Sequence, residues 1–258
     1  MQTIVVKLGT SSLTNGTKRL SRPHMLEIVK QIKNLRDKGH HLAVVSSGAI
    51  AAGREHFPIL SPETLPSKQM LAAVGQVHLM SIWSELFSIY GLTVAQVLLT
   101  KDDIVDEKRA ANARNTLRAL IENGVIPIIN ENDSVATEEI RFGDNDNLSA
   151  LVAHLVSADA LILLTDQEGL YTADPRYHPD AKLIETIDKI DESIAGCAAD
   201  SSHPEKLGTG GMTTKIQAAR FATGVGCTTV IASAKEPDVL LQVVSGKKIG
   251  TLFTAKKK

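Results

Sequence analysis

Cysteine is scarce. Cys197 and Cys227 are the only two in 258 residues, and neither sits in a C-x-x-C pair. That excludes a disulfide scaffold, and two isolated thiols suit a reducing compartment. No apolar run approaches the roughly 18 residues that cross a membrane, and the N-terminus enters a strand too soon to hold a secretory signal. A cytoplasmic protein with no membrane partner is therefore expected. An excess of either charge is also missing: 28 Lys and Arg face 29 Asp and Glu, for a formal net charge of −1. A nucleic-acid-binding surface would be basic, and the one basic run, Lys256-Lys257-Lys258, reads as a solvated tail. Absent too are the G-x-x-x-x-G-K-[ST] loop, a G-x-G-x-x-G after the first strand, and the D-F-G and H-R-D set. These absences argue against a P-loop enzyme, a dinucleotide-dependent oxidoreductase and a protein-kinase fold.

What the chain does hold is short apolar strands alternating with helical patterns. Ile4-Val5-Val6-Lys7-Leu8 reads as a buried strand interrupted by one lysine, with a turn at Gly9-Thr10-Ser11-Ser12. Met25, Ile28, Val29, Ile32 and Leu35 recur at helical spacing before Gly39. Further strands are predicted at 42–45, 92–99, 125–129, 160–164, 183–184, 228–231 and 249–253. Further helices are predicted at about 67–90, 106–123, 148–156, 192–199, 213–223 and 238–244. Pro127 inside the fourth strand argues for an edge or an irregularity. The helix at 67–90 carries apolar residues on more than one stripe, so it is either buried within its own domain or also a subunit interface. Alternation of this kind indicates an α/β fold with a mostly parallel sheet covered by helices. With no repeat and no linker, one domain with two lobes is expected.

Ligands in such sheets bind beyond the carboxyl ends of the strands. Those ends are polar or small here: Lys7-Leu8-Gly9-Thr10-Ser11, Ser46-Ser47-Gly48, Asn130-Glu131-Asn132-Asp133-Ser134 and Thr165-Asp166-Gln167-Glu168-Gly169. Gly208-Thr209-Gly210-Gly211-Met212-Thr213-Thr214-Lys215 precedes a helix. Its glycines alone would equally suit a flexible connector. Lys215 in the first helical turn is poorly placed against the helix dipole unless an anion also binds there. Gly143-Asp144-Asn145-Asp146-Asn147-Leu148-Ser149 opens another helix. One polar residue of this cluster caps it, and the others are candidates for a small polar substrate. No spacing matches an EF-hand, and no protein metal ligand is assigned.

Taken together and in order, these motifs resemble the amino-acid kinase family, with Leu170-Tyr171-Thr172-Ala173-Asp174-Pro175 following the fifth strand. The resemblance covers essentially the whole chain, and within the family it points to members acting on glutamate. Single motifs are shared with members acting on acetylglutamate, aspartate and uridylate. It implies a three-layer αβα sandwich, with an acceptor lobe over about 1–160 and a nucleotide lobe over 161–258. It also implies transfer of a phosphoryl group from ATP, with Mg²⁺, to the side-chain carboxylate of L-glutamate, the first step of proline synthesis. Lys7 then contacts the transferring phosphate, Lys215 serves on the nucleotide side, and Asp146 holds the lysines in position. Ser47, Asp133 and Asn145 match the glutamate site. Lys7, Thr165, Asp166, Thr209, Gly210, Gly211, Met212, Thr213, Thr214 and Lys215 match the ATP site. A homo-oligomer (dimer or tetramer) and feedback inhibition by proline near Asp102 and Asp103 are further implications. Many members carry a C-terminal PUA module, which is not expected in a chain ending at Lys258.

Overall fold

The computed structural model describes residues 1–57, 64–135, 145–200 and 211–255. Its strands are β1 (Thr3–Leu8), β2 (His41–Ser46), β3 (Val94–Leu99), β4 (Ile126–Glu131), β5 (Ala160–Thr165), β6 (Thr186–Ile187), β7 (Thr228–Ser233) and β8 (Thr251–Phe253). They form one sheet in the order β3-β4-β2-β1-β5-β7-β8-β6. The pairings are parallel except between β7 and β8. β1 lies at the centre, hydrogen-bonded to β2 on one side and β5 on the other. The chain winds outwards in both directions from it, so the carboxyl ends of β1, β2, β4 and β5 share one edge.

Two helical layers cover the sheet. Period-2 alternation along β1 sends Ile4, Val6 and Leu8 to one apolar core and Val5 to the other. The first core is closed by α2 (Arg22–Asp37), α3 (Ala49–His56), α4 (Leu65–Ser88) and α10 (Val239–Val244). The second is closed by α6 (Glu107–Glu122), α7 (Asn145–Leu155) and α9 (Met212–Gly224). Each fully buried Leu, Ile or Phe on these faces contributes about 1.5–3 kcal/mol. Lys7, two residues beyond Val5, must therefore face the layer of α7 and α9.

The structure revises several expectations. The turn after β1 is a short helix, α1 (Thr10–Thr14), with Gly9 at its N-cap. A short helix α5 (Lys101–Val105), closed by a Thr100–Asp103 capping box, precedes α6. The strand expected at 183–184 lies instead at Thr186–Ile187, and Leu183 makes only an isolated bridge to Tyr171. α8 (Glu192–Asp200) lies close to its expected place.

Pro127 does not mark an edge, because β4 runs between β3 and β2. Ile126 donates its N–H to Thr93 on the β3 side, so the next position faces β2. Pairing with β2 starts only at Ile128, and the missing N–H of Pro127 leaves no gap in that ladder.

The apolar stripes of α4 resolve mostly inward. Leu71, Ala72, Leu79, Ile82, Trp83, Leu86 and Phe87 are buried, whereas Met70 and Val77 point outward at 41% and 69% exposure. α4 is pressed onto α3 at Gly75. A Cβ there would lie 1.7 Å from the Ala49 carbonyl oxygen and 2.4 Å from the Gly53 nitrogen. Among the described residues, no helix is long and apolar enough to cross a membrane.

Candidate active site

Lys7 is 2% exposed and Asp146 is fully buried. Lys7 Nζ lies 2.5 Å from Asp146 Oδ1, and Lys215 Nζ lies 3.1 Å from Asp146 Oδ2. Three ionised groups this deep persist only because they pair. The topology brings them together: Lys7 faces inward from the central strand, Asp146 sits in the first turn of α7, and Lys215 sits in the first turns of α9. Thr214 Oγ1 is 2.8 Å from both Asp146 Oδ2 and the Gly211 carbonyl oxygen. The Asp146 carboxylate balances Lys215 near this helix start, so the lysine's position does not by itself call for a bound anion. Two ammonium groups share that one carboxylate. Gly9 leaves the approach open, since a Cβ there would stand 3.6 Å from Lys7 Nζ.

A second cluster adjoins the first through consecutive residues, Asn145 and Asp146. β2 ends at Ser46, whose Oγ accepts from Trp83 Nε1 at 3.0 Å. Gly48, at φ +104, then turns the chain into α3 and leaves Ser47 at the sheet edge. Asn145 Nδ2 donates to Ser47 Oγ at 2.8 Å and to Asn130 Oδ1 at 2.9 Å. Both amide hydrogens of Asn145 are thus used, and its buried Oδ1 has no hydrogen-bond partner among the described residues. Ser47, accepting at its oxygen, keeps its own hydroxyl hydrogen to donate.

Asp133 lines a small cleft with Ala72, Gln76, Leu98, Glu131 and Ser134. Burial raises its pKa to about 6. Glu131 is raised to about 7, by burial first and then by the charges of Asp133, Asp103 and Asp102. Two carboxylates pushed this way favour a cationic occupant, which would restore their ionised forms. This end therefore gathers the acceptors of Glu131, Asp133 and Asn145 beside the hydroxyls of Ser47 and Ser134.

Of the predicted nucleotide residues, Thr165 ends β5 with Oγ1 3.2 Å from Asp166 Oδ1. Ser12 of α1 donates to the Leu164 carbonyl at 3.2 Å, tying the loop after β1 to the end of β5. Gly211, Met212, Thr213 and Thr214 open α9. The Met212 side chain is packed in the apolar core at 5% exposure, so only its backbone remains for a ligand. Thr209 and Gly210 lie outside the described residues, as do Gly143 and Asp144.

Asn130, Gln76 and Glu131 join the site only in the fold. Asn130 and Glu131 belong to the polar run after the fourth strand, where nothing in the sequence separates them from loop residues. Gln76 gave no signal, because a glutamine on a helix is ordinary.

The model of the Amino acid kinase family matches residues 2–233. The chain is 56% identical over 256 residues to the glutamate 5-kinases of Escherichia coli O1:K1, Escherichia coli K12 and Shigella boydii serotype 18. The matched region spans 98% of this chain and 69% of each relative. The crystal structure of UMP kinase from Bacillus anthracis superposes with a TM-score of 0.63 at 15% identity, covering 99% of this chain and 97% of the other, which establishes likeness of fold alone. With the sheet order, the buried Lys-Asp-Lys cluster and these matches in agreement, the chain belongs to the amino acid kinase family.

Proposed function

We propose that this protein transfers the γ-phosphoryl group of ATP to the side-chain carboxylate of L-glutamate, yielding L-glutamyl 5-phosphate for proline synthesis. The observation that carries the reading is the adjacency of Asn145 and Asp146. It sets a site suited to an α-amino acid directly beside a cationic site suited to phosphates. Ser47 can donate to a carboxylate, whereas Asn145 Oδ1 and the Asp133 carboxylate can accept from an ammonium group. N-acetylglutamate offers one neutral amide N–H in its place and uridylate has no ammonium group, so neither brings the positive charge that the Asp133 carboxylate favours.

The chemistry needs no general base. A glutamate side chain has a pKa of about 4.3 and is ionised at neutral pH. Its oxygen forms the bond to the γ-phosphorus as the bond to the bridging oxygen of ADP breaks, and no proton is transferred. The obstacle is repulsion between a carboxylate and a triphosphate. Lys7 and Lys215 offset it, fixed in place by Asp146 so that little reorganisation is needed during transfer. Alignment of the two reactants supplies the remainder. Thr165, Asp166 and the start of α9 hold the nucleotide in this reading. Mg²⁺ would arrive with ATP and add neutralising charge. Lys7, Thr214 and Lys215 already take up the oxygens of Asp146, which suits an ion held mainly by phosphate oxygens and water.

The same reading places acceptor recognition in residues 1–160, nucleotide recognition in 161–258, and the protein in the cytoplasm. Proline would compete at the acceptor site, where Asp102 and Asp103 already act on Glu131. The outward Met70 and Val77 of α4 support a homo-oligomer. The deciding experiment measures ADP release with Mg²⁺-ATP and each of glutamate, N-acetylglutamate and uridylate, trapping the acyl phosphate with hydroxylamine. Turnover and hydroxamate formation with glutamate are expected. Preference for another acceptor would overturn the proposal.

A further inference from the structure

Asn130 sits at the end of β4 and is 2% exposed. Its Oδ1 accepts from the Glu131 backbone N–H at 2.9 Å and from Asn145 Nδ2 at 2.9 Å. Its Nδ2 donates to Gln76 Oε1 at 2.8 Å. Gln76 Nε2 in turn donates to Gln96 Oε1 at 3.3 Å. A row of amides can in principle run in either direction, because each can exchange its donor and acceptor ends. Here the direction is decided at one point. A backbone N–H can only donate, so the Asn130 oxygen must face Glu131. That places the Asn130 NH₂ towards Gln76 and requires Asn145 to approach with its own NH₂. Asn145 Oδ1 is then the end left for a ligand.

We infer that Gln76 is a positioning residue for acceptor recognition: it holds Asn130 from the far side and so keeps Asn145 presenting an acceptor to the ammonium group of the substrate. This rests on the reading of the site as one for glutamate. Gln76 is well placed for the task because its neighbour Gly75 locks α4 against the backbone of α3, the helix that begins just after Ser47. Gln76 also lines the cleft containing Glu131 and Asp133. Removing its side-chain oxygen leaves the buried Asn130 NH₂ without that acceptor. Such a group is costly to leave unmade, and the Asn130 side chain would swing towards the nearby carboxylates, releasing Asn145. The chain of effect runs from a helix residue through two amides to the polarity of the site.

The test compares Gln76→Met, which fills similar space without an acceptor, with Gln76→Glu, which retains one for Asn130. Steady-state constants are measured with ATP and either glutamate or glutarate, which lacks the amino group, and thermal unfolding is followed alongside. Gln76→Met should raise the glutamate KM about tenfold, leave the ATP KM within about twofold, and reduce the preference for glutamate over glutarate by a similar factor. Gln76→Glu should recover most of that preference. An unchanged glutamate KM in Gln76→Met overturns the inference. Equal losses for ATP and glutamate in both variants, accompanying a fall in melting temperature, also overturn it in favour of a purely structural role. Wild-type protein that does not phosphorylate glutamate removes the functional reading and this inference together. Active wild type with an indifferent variant removes only the inference.

Discussion

Lys7 Nζ stands 2.5 Å from Asp146 Oδ1, with the two side chains at 2% and 0% exposure. The partner that allows a lysine inside the central strand comes from the first turn of a helix far along the chain. The same carboxylate holds Lys215 through its other oxygen, so a single residue sets the spacing of both cations.

Losing either lysine removes a charge aimed at the transferring phosphate. Lys7→Ala and Lys215→Ala should each lower kcat by about 10²-fold or more, the scale of losing one electrostatic donor. Steady-state assays at saturating ATP and glutamate check this. A kcat near that of wild type for either variant would refute its role.

Asp146→Asn should be worse for stability than either lysine variant. It leaves two buried ammonium groups without their shared counter-charge, whereas loss of one lysine still leaves an ion pair. Breaking a buried pair in this way costs about 3–5 kcal/mol. Denaturant unfolding of the three variants should place Asp146→Asn lowest, and ATP should restore more of its stability than it adds to wild type.

Asp133→Asn should chiefly raise the glutamate KM and leave the ATP KM in place. The carboxylate must be ionised to hold an ammonium group, and its pKa is raised to about 6. The wild-type glutamate KM should therefore fall as pH rises through about 6 and level off above it, while Asp133→Asn should lose this dependence. A wild-type KM that is flat from about pH 5 to 8 would remove Asp133 from the acceptor site.

Glu131 links pH to folding. Its pKa is about 7 in the folded protein against an ordinary 4.5, so between these values the folded state binds more protons than the unfolded state. Its contribution to stability is full below the lower value and is lost as pH rises through the upper one. Glu131→Gln should flatten that part of the stability profile, measured by urea unfolding across the window. A variant with the same slope as wild type would show that Glu131 does not carry the effect.

Gly75→Ala should cost about 3 kcal/mol or more, at the upper end of overpacking, because its Cβ would fall 1.7 Å from a backbone oxygen of α3. Gly196→Ala provides the contrast. It lies inside α8 with nothing among the described residues within 4 Å of an added Cβ, and should gain roughly 0.5–1 kcal/mol from helix propensity alone. Paired thermal melts decide whether close approach, and not glycine content, is what α4 requires.

Local chemistry determined much of this protein. Apolar runs such as Val5-Val6 and Leu161-Ile162-Leu163-Leu164 read as buried strands, and their alternation with helices calls for a parallel sheet whose polar strand ends share an edge. The unusual charges were legible for the same reason: a lysine in an apolar strand and another at a helix start each demand a partner nearby. Which partner was a matter of tertiary structure, because Asp146 meets both lysines only after β1, α7 and α9 are packed. Some short-range signals left alternatives that only strand pairing decides. Pro127 reads as an edge or an irregularity, and its missing N–H falls just before the ladder to β2 begins, inside the sheet. The polarity of the acceptor site had no trace in sequence at all. An asparagine offers both a donor and an acceptor, and only the folded contact of Asn130 with one backbone N–H decides which end of Asn145 is left for a ligand.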